Sequence, residues 1–232
     1  MSSNNATLLI LGCGPGVGLS SAKALAATGL FKNVVLCSRN EERIQQHGAE
    51  VRQFVNDKVD VHTVSLDLND TEGLSEQIGK IRQIGELRCL LFNAARIRPS
   101  KPLEASVEEL QEDFRASTLA LYVIAQETVP HLSQNSSNTS RPAFIVTNSH
   151  LPESPIPEVL ILSVVKAAQQ NLVQGLHAAF SDKIEFAVIK IKGIVGTQDG
   201  QIHAETVAER IVDVYQSASE GKKGKVLIDI DP

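Results

Sequence analysis

Apolar and polar positions follow two periods along the chain. Short apolar runs at residues 7–11, 33–37, 88–92, 143–147, 184–191 and 226–230, with an alternating run at 59–65, predict seven strands. Longer stretches with apolar residues at helical spacing separate them: 17–28, 41–56, 71–84, 103–114, 115–132, 158–180 and 204–217. In 71–84 the spacing is carried by Leu74, Ile78 and Ile81. The polar tract 133–140 reads as a loop within one sheet rather than a linker. Alternating strands and helices imply βαβ crossovers. The predicted fold class is α/β: a single doubly wound parallel sheet, Rossmann-like, with helices on both faces, in one domain spanning 1–232.

Composition narrows the functional classes. Hydrophobic residues make up 42% and charged residues 21%, enough to build a core and too apolar for a disordered chain. A net charge of −5 with no extended basic run argues against a nucleic-acid groove. Cys13, Cys37 and Cys89 are widely spaced without a CxxC pair, which fits a reducing compartment; no metal site is assigned. The stretch from Met1 to Thr7 has no basic region ahead of its apolar run, and no apolar run reaches the roughly 18 residues of a membrane span. The expectation is a cytoplasmic protein with no membrane and no nucleic-acid partner. Aromatic residues are only 4%, with no Trp and two tyrosines, Tyr122 and Tyr215.

The first strand runs into Gly12-Cys-Gly14-Pro-Gly16-Val17-Gly18, where a helix begins. Glycines permit a sharp turn and close approach of a pyrophosphate, and free N–H groups at a helix start favour anions. Val17 stands where GxGxxG needs its third glycine. The spacing that fits is Gly-x3-Gly-x-Gly, from Gly12, Gly16 and Gly18.

This loop resembles that of the short-chain dehydrogenase/reductase family, and the resemblance extends from about Thr7 to Ile230. By that resemblance Asp67, after the third strand, is the acid contacting adenine. Asn93, in Phe-Asn-Ala-Ala, matches the Asn-Asn-Ala-Gly element. Thr197 matches the Thr of a Pro-Gly-x-x-x-Thr element whose Pro is replaced by Lys192. The end of strand two carries Ser38 and Arg39 instead of an acid. A hydroxyl and a guanidinium suit a 2′-phosphate, so the expected cofactor is NADP(H) rather than NAD(H). The implied cofactor-binding set is Gly12, Gly14, Gly16, Val17, Gly18, Ser38, Arg39, Asp67, Asn93, Lys166 and Thr197.

The resemblance implies an Asn–Ser–Tyr–Lys catalytic set, with Tyr and Lys four apart on one helix face. Lys166 and Ser149 match. The Tyr position is Leu162, which has no proton to give, and the Asn position is Ser117. Tyr122 and Tyr215 read as packing residues. His150, beside Ser149, is the candidate titratable group. The candidate catalytic residues are thus Ser149, Lys166 and His150. The segment after Thr197, which in the family covers the substrate, leads almost at once into the next helix.

Three functions remain open on the sequence. One is an NADP(H)-dependent oxidoreductase with a degenerate site, acting on a reactive carbonyl, enone or iminium. Another is a non-redox cyclase, isomerase or lyase on the same scaffold. The third is a non-catalytic NADP(H)-binding protein. The expected partners are a small-molecule substrate and further copies of the chain, as a homodimer or homotetramer.

Overall fold

The computed structural model describes residues 5–55 and 59–232. The predicted end of the second helix at Asn56, and the first four residues searched for a targeting signal, lie outside them. In chain order the elements are β1 (Ala6–Leu11), α1 (Val17–Ala27), β2 (Asn33–Ser38), α2 (Glu41–Phe54), β3 (Asp60–Ser65), α3 (Thr71–Ile81) and β4 (Glu86–Phe92). Then come α4 (Val107–Phe114), α5 (Ala120–Gln134), β5 (Ala143–Ser149), α6 (Leu160–Phe180), β6 (Glu185–Ile191), α7 (Ala204–Ser219) and β7 (Leu227–Ile230). The seven strands are all parallel, in the order β3-β2-β1-β4-β5-β6-β7.

The continuous apolar runs reflect burial on both faces, as a parallel sheet requires. Every residue of β1 is buried. Leu8 and Ile10 face one layer with Leu25, Ile44 and Ile211. Leu9 and Leu11 face the other with Ile78, Leu121 and Ile124. Each such fully buried Leu or Ile stabilises the fold by roughly 1.5–3 kcal/mol. Among the described residues no helix is long and apolar enough to cross a membrane.

Three predicted boundaries change. The helix expected from residue 103 begins at Val107, because Ser106 and Glu109 form a reciprocal capping box. Leu103 stays outside it, fully exposed and at φ 66°. The two helices expected at 103–114 and 115–132 are one continuous rod, joined by a π-helical turn at Arg115–Leu119. The sixth helix starts at Leu160 rather than 158 and has no side-chain cap of its own. Ser100 supplies one from a distance: its hydroxyl accepts from the Ile161 N–H at 3.0 Å.

At the opposite end of the sheet, Arg141 and Glu185 form a buried ion pair at 2.8 Å. Arg141 also donates to the Ser181 and Ile184 carbonyls, fixing the starts of β5 and β6.

Candidate functional site

The chain runs from β1 outward to β3, then crosses back to β4 on the other side of β1. That reversal leaves a crevice beyond the carboxyl ends of β1 and β4, where doubly wound sheets bind ligands. A cavity of about 750 Å³ occupies it.

The glycine loop forms one wall. Gly12 sits at φ +85°, and a Cβ there would meet the Ala94 backbone nitrogen at 2.5 Å. Both the turn and the close approach require glycine. Gly18 packs inward: a Cβ would lie 2.7 Å from the Gly12 carbonyl oxygen. Gly14 and Gly16 differ. A Cβ on either meets nothing within 4 Å, and both line the cavity, as does Val17. Beyond them the backbone N–H groups at the start of α1 have no intrahelical acceptor. Gly16 provides no side-chain cap and the first turn holds no acid. This open, electropositive cradle fits a dinucleotide pyrophosphate.

Asn93 bolts the loop to the sheet. Its Nδ2 donates to the Gly12 carbonyl at 3.0 Å, and its Oδ1 accepts from the Thr147 hydroxyl at 2.8 Å. Ser38 and exposed Arg39 line the cavity at the end of β2, with Leu66, Leu68 and Asn69 beyond β3.

Lys166 enters from α6 and is buried. Its Nζ donates to the Thr147 carbonyl at 3.0 Å, and its own backbone carbonyl accepts from Asn148 Nδ2 at 3.0 Å. The two bonds hold α6 against the end of β5. Burial pushes the Lys166 ammonium down from 10.5 to about 8. Ser149 lines the cavity beside it, and its hydroxyl accepts from the Leu151 N–H at 3.3 Å. Leu162, one turn before Lys166, is half-buried.

The structure thus gathers Gly12, Gly14, Gly16, Val17, Ser38, Arg39, Asn93, Ser149 and Lys166 around one cavity. It does not bring four other predicted residues to the lining. Gly18 lies behind the loop as a packing residue. Asp67 is exposed, and its Oδ1 accepts from the Asn69 N–H and side-chain amide at 3.0 and 3.1 Å, closing a local turn. Thr197 is exposed on the short segment before α7. His150 is half-buried and outside the lining, with Nδ1 buried and lacking a hydrogen-bond partner among the described residues. Ser117 is buried in the π-helical turn.

Neither tyrosine reaches the site. Tyr122 is half exposed on α5; Tyr215 is buried against Phe31, ring centroids 4.7 Å apart, and burial pushes its phenol up. All three cysteines are buried free thiols, and burial raises Cys13 to about 12.

Several lining residues escape the motif reading: Asn69, Arg96, Ile97, Ala116, Asn148 and Ile194. Arg96 and Ile97 follow Asn93-Ala-Ala directly, so their distance from that element is the signal that could have found them. Arg96 pairs with Glu112 at 2.8 Å and with buried Asp113 at 3.1 Å. Arg98 reaches the same Asp113 at 3.5 Å and Glu109 at 3.4 Å. Among the described residues, none that lines the cavity is acidic.

Comparison with known proteins agrees with this architecture. The alcohol dehydrogenase of the archaeon Thermococcus sibiricus, complexed with 5-hydroxy-NADP, superposes with a TM-score of 0.82 at 19% identity, covering 96% of each chain. A short-chain oxidoreductase of Pseudomonas aeruginosa PAO1, NADPH-bound and described as containing an atypical catalytic center, gives 0.82 at 19% identity, covering 99% of this chain and 96% of that one. In sequence, the uncharacterized oxidoreductase YvrD of Bacillus subtilis (strain 168) is 22% identical over 169 residues, 73% of this chain. Gluconate 5-dehydrogenase of Gluconobacter oxydans (strain 621H) is 26% identical over 177 residues, 75% of this chain. The matches span only 60% and 64% of those two relatives' lengths. The family model described as short chain dehydrogenase matches residues 6–206. The chain therefore belongs to the short chain dehydrogenase family.

Proposed function

We propose that the protein is an NADP(H)-dependent oxidoreductase that works without a tyrosine acid, on a reactive carbonyl, enone or iminium. One observation carries the reading: a single cavity at the sheet's switch point joins the glycine cradle, Ser38 with Arg39, and Ser149 with Lys166. Bound there, NADP(H) would supply the hydride. Gly14, Gly16 and Val17 would hold its pyrophosphate, Arg39 its 2′-phosphate in a forked, charge-assisted contact, and Lys166 a ribose hydroxyl. Ser149 can donate a hydrogen bond to a substrate oxygen at the end of β5. Leu162 offers no proton, so the substrate must be electrophilic enough to accept hydride with hydrogen bonding alone, or take its proton from water or Lys166. The NADPH-bound Pseudomonas protein with its atypical catalytic center supports pairing this fold with unusual site chemistry.

Self-association through α5 and α6 is part of the proposal. Leu119, at the end of the π-helical turn that leads into α5, Tyr122 on α5 and Val164 on α6 are large apolar side chains left about half exposed.

The test combines titration with NADPH and NADH, followed by cofactor fluorescence, and turnover on carbonyls, enones and imines, followed by absorbance. NADPH binding tighter than NADH, with oxidation of NADPH by an activated substrate, is expected. Absence of NADPH binding overturns the reading; tight binding with no turnover across the panel favours a non-redox or non-catalytic role. Leu162→Tyr should then add activity on simple ketones.

A further inference from the structure

Building on the NADP(H) reading, we propose that the substrate is a neutral, chain-like enone or activated ketone whose hydrocarbon tail lies on Ile97 and Ile194, rather than an iminium or an oxo acid.

The nucleotide reading assigns the glycine loop, Ser38, Arg39 and the β3 side of the cavity. The remaining lining has a polar inner end, with Asn93, Thr147, Asn148, Ser149 and Lys166, and an outer part that is apolar at Ala95, Ile97, Ala116, Ile194 and Val195, with Arg96 between Ala95 and Ile97. Ile97 is 79% exposed and Ile194 72% exposed, although both border the cavity. A lone exposed isoleucine means little, but two on one cavity rim form an apolar surface that a ligand can cover.

This rim is held in place. Arg96 and Arg98 flank Ile97 and both bind the Asp113 carboxylate on α4, so the segment between them is pinned. On the other side, residues 192–203 fold back on themselves. The Ile202 N–H donates to the Ile194 carbonyl at 2.9 Å, and the Gly196 N–H donates to the Ile202 carbonyl at 3.1 Å. The shortened loop spends its length on that return, leaving Ile194 uncovered at the mouth.

Charge decides between ligand classes. With no acid in the lining, nothing there stabilises an iminium cation, while Lys166 and Arg96 oppose it. The guanidinium groups on this side of the cavity are not free to take an oxo acid's carboxylate. Arg96 and Arg98 are already engaged by Glu109, Glu112 and Asp113, so a substrate carboxylate would have to break existing ion pairs. A neutral carbonyl at Ser149 with an alkyl tail on the isoleucines meets neither cost.

The experiment uses the whole protein loaded with NADP+, which has no hydride to give, so binding is read without turnover. Calorimetric titration with the 2-alkanones from 2-pentanone to 2-nonanone should show affinity rising about fourfold per methylene, the equivalent of about 0.8 kcal/mol. 2-Oxooctanoate and N-hexylpyridinium should bind at least about tenfold more weakly than 2-octanone, a gap of about 1.4 kcal/mol. Ile97→Asp should flatten the chain-length slope, Ile97→Leu should retain it, and NADP+ affinity should be the same in both. A flat slope in the loaded wild type, or tighter binding of the oxo acid or the pyridinium, overturns this inference and leaves the nucleotide reading standing. Failure of NADP+ to bind overturns both.

Discussion

Lys166 carries a stability cost that can be measured directly. A fall from 10.5 to about 8 on burial corresponds to about 3 kcal/mol, at 1.36 kcal/mol for each tenfold change. Replacing Lys166 by Met keeps the apolar stem and removes the ammonium. It also leaves the Thr147 carbonyl without its donor, which costs about 1–2 kcal/mol. The net expectation at pH 7, without cofactor, is a gain of about 1–2 kcal/mol, or a rise in Tm of about 3–6 °C for a chain of this size. The sign with pH follows from proton binding. Between pH 8 and 10.5 the unfolded lysine holds a proton that the folded one has released, so wild-type stability rises with pH across that window. The Met variant lacks this contribution. Its advantage is therefore full below pH 8 and shrinks as pH rises from 8 towards 10.5. Thermal melts of both proteins at matched pH from 6.5 to 10 provide the assay. A Met variant less stable than wild type at pH 7, or a difference that does not change with pH, refutes the buried-ammonium argument.

The other predictions concern the cradle and the sheet. Arg39→Ala should weaken NADPH binding about 10- to 100-fold, the range of one charge-assisted contact, and leave NADH within about twofold; equal losses for both nucleotides would count against a 2′-phosphate role. Gly12→Ala should destabilise the fold by more than about 2 kcal/mol in urea titration, because it combines a left-handed φ with a backbone clash at Ala94. Arg141→Met should cost about 3–5 kcal/mol by leaving Glu185 buried without its partner, and Arg141→Met with Glu185→Leu should recover much of it.

Residues whose role is set locally were legible in the chain. The strands appear as apolar runs because a doubly covered sheet needs no polar alternation. The cradle was readable because its glycines are dictated by one turn and one close approach. Lys166 and Ser149 could be placed because each lies at a fixed spacing within or beside a single element. Legibility ended where distant segments decide. Ser100 caps α6 across 61 residues, and no spacing rule reveals such a bond. The π-helical turn at Arg115–Leu119 shifts the helical phase within the rod, so the chain reads there as two helices. The turn that the Asp67 carboxylate closes with Asn69 is a local contact that a position after the third strand does not reveal. The Ser106–Glu109 box was present in the sequence, but the apolar Leu103 ahead of it drew the helix start too early.

The Ser100 cap has a mechanical consequence. Ser100 also donates its N–H to the Glu158 carbonyl and accepts from the Leu160 N–H, so the segment behind Ile97 and the helix bearing Lys166 share one fastening. Pressure on the outer wall of the cavity is transmitted to the first turn of α6 without passing through the sheet. The entrance segment and the first turn of the lysine's helix are tied by three hydrogen bonds to Ser100, so a substitution there should disturb both ends of the cavity.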